Sequence, residues 1–100
     1  MRTPIPNRRQ SEVLSFVHSG ITYTGSVSYR EDTGAACEVF LDGGKAGTAV
    51  QSVARDSAVA VSLALQYGAP VSVIRAALTR NEDGSPSGPL GAMLDLVEGA

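Results

Sequence analysis

Ile21-Thr22-Tyr23-Thr24-Gly25-Ser26-Val27-Ser28-Tyr29 alternates without a break, with Ile21, Tyr23, Gly25, Val27 and Tyr29 on one side and Thr22, Thr24, Ser26 and Ser28 on the other. Successive side chains of a strand point to opposite faces, so this stretch reads as a half-buried strand with one face on a core. Upstream, Val13 to His18 is also strand-like, and Gly20 punctuates the join. Downstream, Asp32, Thr33 and Gly34 carry turn chemistry, after which Cys37, Val39 and Leu41 alternate with Glu38, Phe40 and Asp42. Three strands joined by short connections predict an antiparallel meander.

Beyond the third strand the period changes. From Ala46 to Tyr67, the residues Val50, Val53, Ala54, Ser57, Val61, Ala64 and Leu65 recur at helical spacing. Gln51, Arg55, Ser62 and Gln66 form a narrow polar stripe, and Val59, Leu63 and Tyr67 repeat every four residues on the remaining side. So little of the circumference is polar that the helix is expected to be covered on two sides. Gly68 is the natural stop, and Pro70 suits the first turn of a second helix with Val71, Ile74, Ala77 and Leu78 inward. Asn81 to Gly88 reads as a mobile loop, and Leu90, Met93, Leu94 and Val97 as one face of a last short helix. The expected class is α+β: a three-stranded antiparallel meander, a long helix, a helical hairpin partner and a short C-terminal helix. Residues 1–10, with two prolines and no apolar periodicity, read as an extended arm before a single domain at 11–98.

Composition narrows the functions. Eight Lys and Arg against ten Asp and Glu leave a net charge of -2 in 100 residues, and only Arg8 and Arg9 are adjacent. That is not the row of phosphate contacts from which duplex affinity comes, so no nucleic-acid partner is expected. No apolar run reaches the ~18 residues a membrane helix needs, and no signal-peptide core follows the N-terminal arginines. The single cysteine, Cys37, has no internal disulfide partner, which fits a reducing cytoplasm.

The segment Glu38-Val39-Phe40-Leu41-Asp42-Gly43-Gly44-Lys45-Ala46-Gly47 resembles the EVF and GKxG signature of the TSCPD domain, a C-terminal module of adenosylcobalamin-dependent ribonucleotide reductases. The resemblance extends to the basic lead Pro6-Asn7-Arg8-Arg9, the hairpin strand Ile21 to Tyr29, the helix ending Ala64-Leu65-Gln66-Tyr67-Gly68 and the short helix Pro70 to Leu78. It covers roughly residues 6–96, and the order and spacing of these parts make it more specific than any one motif. The family is named for a Thr-Ser-Cys-Pro-Asp run, to which Pro86-Ser87-Gly88-Pro89-Leu90 is the best match here. Gly88 stands at the cysteine position and Leu90 at the aspartate, so a metal or redox role of that cysteine does not carry over. The resemblance implies a divergent, stand-alone member: an accessory or regulatory binding module with no cofactor of its own, not catalytic by itself. It also implies a possible protein partner in deoxyribonucleotide synthesis. Ribonucleotide reduction needs redox thiols and a radical cofactor, which belong to longer relatives.

The best chemical candidate among the residues is the turn of Gly43, Gly44, Lys45, Gly47 and Thr48, which delivers a lysine to the start of the long helix. Its N–H groups and the helix dipole suit a phosphate or carboxylate, giving the alternative of a phosphorylated metabolite or nucleotide as ligand. It is not a Walker A loop, because Ala46 follows the lysine. Read plainly, the glycines permit a tight turn and Thr48 caps the helix. His18 stands without a second ligand at metal spacing, Cys37 is expected to be buried, and Glu31, Asp32, Glu38 and Asp42 fall at turns and solvent-facing strand positions. Asp56 lies beside Leu63 and Tyr67, where a half-buried charge would need a partner. Val59, Leu63 and Tyr67 remain to be buried, so a homodimer is expected, through these helix faces or through an edge strand. In the alternative, the last helix covers that row within one chain.

Overall fold

The computed structural model describes residues 10–98, so the arm expected over 1–10 lies, except for Gln10, outside the described residues. Gln10 itself opens strand β1 (Gln10–His18), which is followed by β2 (Ile21–Tyr29) and β3 (Ala36–Gly43). The sheet order is β1-β2-β3 and both pairs are antiparallel, which is the expected meander. Ser19 and Gly20 join the first pair with positive φ at both residues (50° and 78°), the handedness that matches the twist of a two-residue hairpin. Gly34 closes the second turn at φ 74°, its N–H donating to the Arg30 carbonyl, and Arg30 grips the Asp32 carboxylate through Nε and Nη2.

Three helices follow: α1 (Ala49–Gln66), α2 (Val71–Ala77) and α3 (Pro89–Glu98). Helix α1 ends in a Schellman arrangement around Gly68 at φ 105°: the Ala69 N–H reaches the Ala64 carbonyl and the Gly68 N–H that of Leu65. Helix α2 packs mainly on α3, with Val71, Ile74 and Leu78 half-buried, whereas Ala77, expected inside, is exposed. The segment 81–88 differs from the mobile loop expected. Arg80 and Pro86 form an isolated β-bridge, Asn81 bonds Ser85 through backbone and side chain, and Ser87 donates to the Thr79 carbonyl and the Asn81 side chain. The turn-forming residues close a small bonded hairpin rather than leaving the chain slack.

All core side chains stand on one face of the sheet, under two helices. Helix α1 lies along β3, and α3 covers β1 and β2. Val27, Leu41, Met93 and Leu94 are the largest side chains with no solvent contact. The central strand carries Gly25 because α3 comes so close that a Cβ there would collide with the Met93 sulfur. Phe16 stacks on Tyr23 at 5.7 Å between ring centroids, and Gly43 continues the row, since a Cβ there would enter the Tyr23 ring.

The orientation of α1 reverses one expectation. Its buried residues are Ala54, Ala58, Val61, Ser62, Leu65 and Gln66, so half of the polar stripe is inside. The cause is the outer edge of β3. Ser62 Oγ accepts from the Val39 N–H and donates to the Val39 carbonyl, both at 2.9 Å, and Gln66 Nε2 donates to the Cys37 carbonyl at 3.2 Å. The polar stripe supplies the hydrogen bonds that a fourth strand would otherwise supply. Buried backbone groups must be paired, so this constraint overrides hydrophobic patterning and turns Val53, Val59, Leu63 and Tyr67 outward. Asp56 is carried with them into solvent and needs no partner.

Ser62→Ala strands two buried backbone groups at once and is expected to cost about 1–3 kcal/mol. The melting temperature should fall by several degrees and the Val39 amide should exchange faster with solvent, while an unchanged melting temperature would show that water replaces the hydroxyl.

Candidate functional site

The glycine turn is built from β3 outward. Gly44 and Gly47 hold φ of 79° and 80°, and a Cβ on Gly44 would also lie 2.7 Å from Val50 Cγ1. Thr48 caps α1: its hydroxyl donates to the Lys45 carbonyl at 2.6 Å and accepts from the Gln51 N–H at 3.4 Å. Gln51 returns the contact, its Oε1 accepting from the Gly47 N–H at 3.0 Å. The same side chain donates through Nε2 to Asp42, which Arg55 Nε also meets at 2.9 Å. Arg55 first, then Gln51, hold the Asp42 carboxyl below its ordinary range. The turn thus brings Gly43, Gly44, Lys45, Gly47 and Thr48 together as the sequence suggested. The N–H groups of Gly47, Thr48 and Gln51 are already engaged within the cap. Lys45 is exposed beside it.

The remaining sequence candidates sit apart from the turn. Cys37 is 3% exposed and donates its thiol to the Ser28 carbonyl, in keeping with a cysteine used as a small hydrophobe. His18 Nε2 lies 3.1 Å from the Ser87 carbonyl; a carbonyl can only accept, so that nitrogen carries the proton and ties β1 to the run before α3. Among the described residues no group of three His, Cys, Asp or Glu side chains could hold a metal. Nor, among them, is any helix long and apolar enough to cross a membrane.

Two features lay beyond sequence reasoning. The first is a triad in which Arg75 Nε and both terminal nitrogens of Arg80 meet the Asp95 carboxylate at 2.7 Å, fastening α2, the bonded hairpin and α3 to one another. Arg80, then Arg75, hold the Asp95 carboxyl well below the usual carboxylate range. No sequence signal marks it, because the three residues come from separate elements. The second is a surface. The outward row of α1 carries Val53, Val59, Leu63 and Tyr67 at 65, 59, 42 and 65% exposure, with Asp56 as its one charge. A groove lined by Phe40, Glu38 and Gln66 runs beside Val59 and Leu63. The four-residue repeat of Val59, Leu63 and Tyr67 was legible, as was its being left over by the sheet; the exposure of Val53, expected on the inward side, was not. Helix α3 does not cover it, so the intrachain alternative is not the one adopted.

With this geometry in view, comparison with known proteins gives a consistent result. The family model described as "TSCPD domain" matches residues 2–97. A vitamin B12-dependent ribonucleotide reductase of Bradyrhizobium diazoefficiens is 37% identical over 92 residues, which are 89% of this chain and 7% of that protein. The chain therefore spans a small fraction of the relative it matches. No solved structure matches it.

Because the folded-state value for Asp95 is lowered, its contribution is present above the ordinary carboxylate range near pH 4 and is lost as pH falls from there toward the folded value. Asp95→Asn should therefore destabilise at pH 7, by about 1–2 kcal/mol for charged bonds at a partly exposed site. The gap to wild type should narrow progressively as pH falls below 4 in paired thermal melts; a gap independent of pH would assign the effect to packing.

Proposed function

Because the chain belongs to the TSCPD domain family, we propose that it is an accessory or regulatory binding module related to ribonucleotide reductase, acting through a protein surface and not by its own chemistry. The observation that carries this reading is the outward face of α1. A helix in contact with water normally presents charge there, and this one presents Val53, Val59, Leu63 and Tyr67 around a single carboxylate. An apolar face of that kind suits burial against another polypeptide. Ribonucleotide reduction needs redox thiols and a radical cofactor site, and one buried cysteine in this chain does not provide the thiols, so on this reading the chemistry stays on the larger protein. The setting is the cytoplasm, where the Cys37 thiol stays reduced.

A direct test uses a vitamin B12-dependent ribonucleotide reductase whose own matching module has been removed. The chain should bind it with micromolar affinity and alter its turnover, and Leu63→Glu should weaken binding at least tenfold without lowering the melting temperature, since Leu63 faces solvent. Absence of a complex at tens of micromolar, with intact and truncated reductase alike, would overturn the reading.

A second reading, a phosphorylated metabolite or nucleotide held at Gly43 to Thr48, is favoured by one observation. Lys45 stands exposed between two left-handed glycines at the start of an 18-residue helix. On that reading phosphate raises the melting temperature of the wild type but not of Lys45→Ala. Equal responses would reduce the segment to a helix cap.

A further inference from the structure

The two edges of the sheet are treated differently. That of β3 is sealed by Ser62 and Gln66, whereas no described element pairs with the outer edge of β1. Strand β1 is nine residues long, pairs with β2 without a register shift, and contains no proline, lysine or glycine. Short strands, bulges, prolines and lysines are the devices by which proteins ordinarily blunt an edge, and β1 uses none of them. The direction of its backbone groups follows from Val39. Both of its polar groups point away from β2, so strict alternation across the two registers points the N–H and C=O groups of Ser11, Val13, Ser15 and Val17 outward from β1. Their side chains stand on the sheet face away from the core, where Val13 and Val17 are 76 and 68% exposed.

The run Glu12-Val13-Leu14-Ser15-Phe16-Val17-His18 is a chemical palindrome about Ser15. We propose that β1 is a self-association edge, joining two copies of this chain antiparallel about a two-fold axis at Ser15 into one continuous six-stranded sheet. Outward-facing residues must oppose outward-facing residues, which limits the axis to a few positions. At Ser15, Val13 faces Val17 of the second copy and exchanges both backbone bonds with it, as Ser15 does with its own symmetry mate. Leu14 then faces Phe16, both only half-buried in one copy, and Glu12 faces His18. These last pairs fall at the closer, non-hydrogen-bonded positions, where cross-strand side chains interact most. His18 is already fixed at the strand end by the Ser87 carbonyl. Moving the axis to Leu14 sets Glu12 against Phe16 and Val17 against Ser11; moving it to Phe16 sets Leu14 against His18. Only the axis at Ser15 matches apolar to apolar and acid to imidazole along the strand. A second copy therefore fits this edge through its own sequence, and the apolar face of α1 stays free for another partner.

Sedimentation velocity on the full chain from micromolar to hundreds of micromolar tests the proposal. Wild type should sediment as a dimer in the upper part of that range, since edge pairing buries a small interface. Val13→Lys and Val17→Lys should each weaken association at least tenfold, with a melting curve unchanged at low micromolar concentration where the wild type is a monomer, because both side chains are solvent-exposed in one copy. The double variant Val13→Lys with Val17→Glu should restore the dimer, since the introduced ammonium of one copy then faces the introduced carboxylate of the other only when the axis lies at Ser15. A monomeric wild type at hundreds of micromolar, or a dimer that both lysine variants leave intact, would overturn the edge. Failure of the double variant to rescue would overturn the register.

Discussion

The pairing of Ser62 with both backbone groups of Val39 sets the arrangement of everything around it. A three-stranded sheet has two edges for one central strand, and an edge against a core cannot leave its polar groups dry and unpaired. Helix α1 meets that requirement by lying along β3 with its polar stripe turned inward. Once the helix is rotated in this way, its opposite side must face solvent, and that side is the row of Val53, Val59, Leu63 and Tyr67. The exposed apolar face is a consequence of sealing the edge.

The same choice leaves part of the core to other elements. Since α1 is committed to β3, the face of β1 and β2 is covered by α3, whose Met93 and Leu94 are wholly buried. Helix α3 can approach so closely because Gly25 presents no side chain beneath Met93. Its position is then fixed by Asp95 between Arg75 and Arg80, and by the backbone of Ser87 held between Thr79 and His18. The segment that resembles the family's name-giving run is therefore a structural joint in this chain. Ser87 takes part in it through its amide and carbonyl, which need no particular neighbour at Gly88.

As a TSCPD domain, the molecule presents two surfaces of different character. It carries an apolar helix face on one side and, among the described residues, an unpaired strand edge on the other. The two surfaces differ in kind. A helix face offers side chains and suits a partner of complementary shape, whereas a strand edge offers backbone bonds and takes its specificity from register.

Amino-acid order by itself determined the three strands, their turns at Gly20 and Gly34, the cap at Thr48, the stop at Gly68, the inward face of the last helix and the family. Each of these depends on residues near one another in the chain: the period of two in Ile21 to Tyr29, the φ freedom of a glycine, the hydroxyl of a capping threonine. The EVF and GKxG run made the kinship legible in the same local way, and the members of the glycine turn came together because they are consecutive. Tertiary structure alone decided which side of α1 is inside, that Asp56 is solvated, that 81–88 is a bonded hairpin, and that Asp95 gathers two arginines. Polarity patterning assumes that a polar stripe seeks water, but an unpaired strand edge is also a polar environment, and Ser62 and Gln66 found it 23 and 29 residues away along the chain. Which of the two wins depends on a backbone hydrogen-bond requirement that exists only once the sheet has formed.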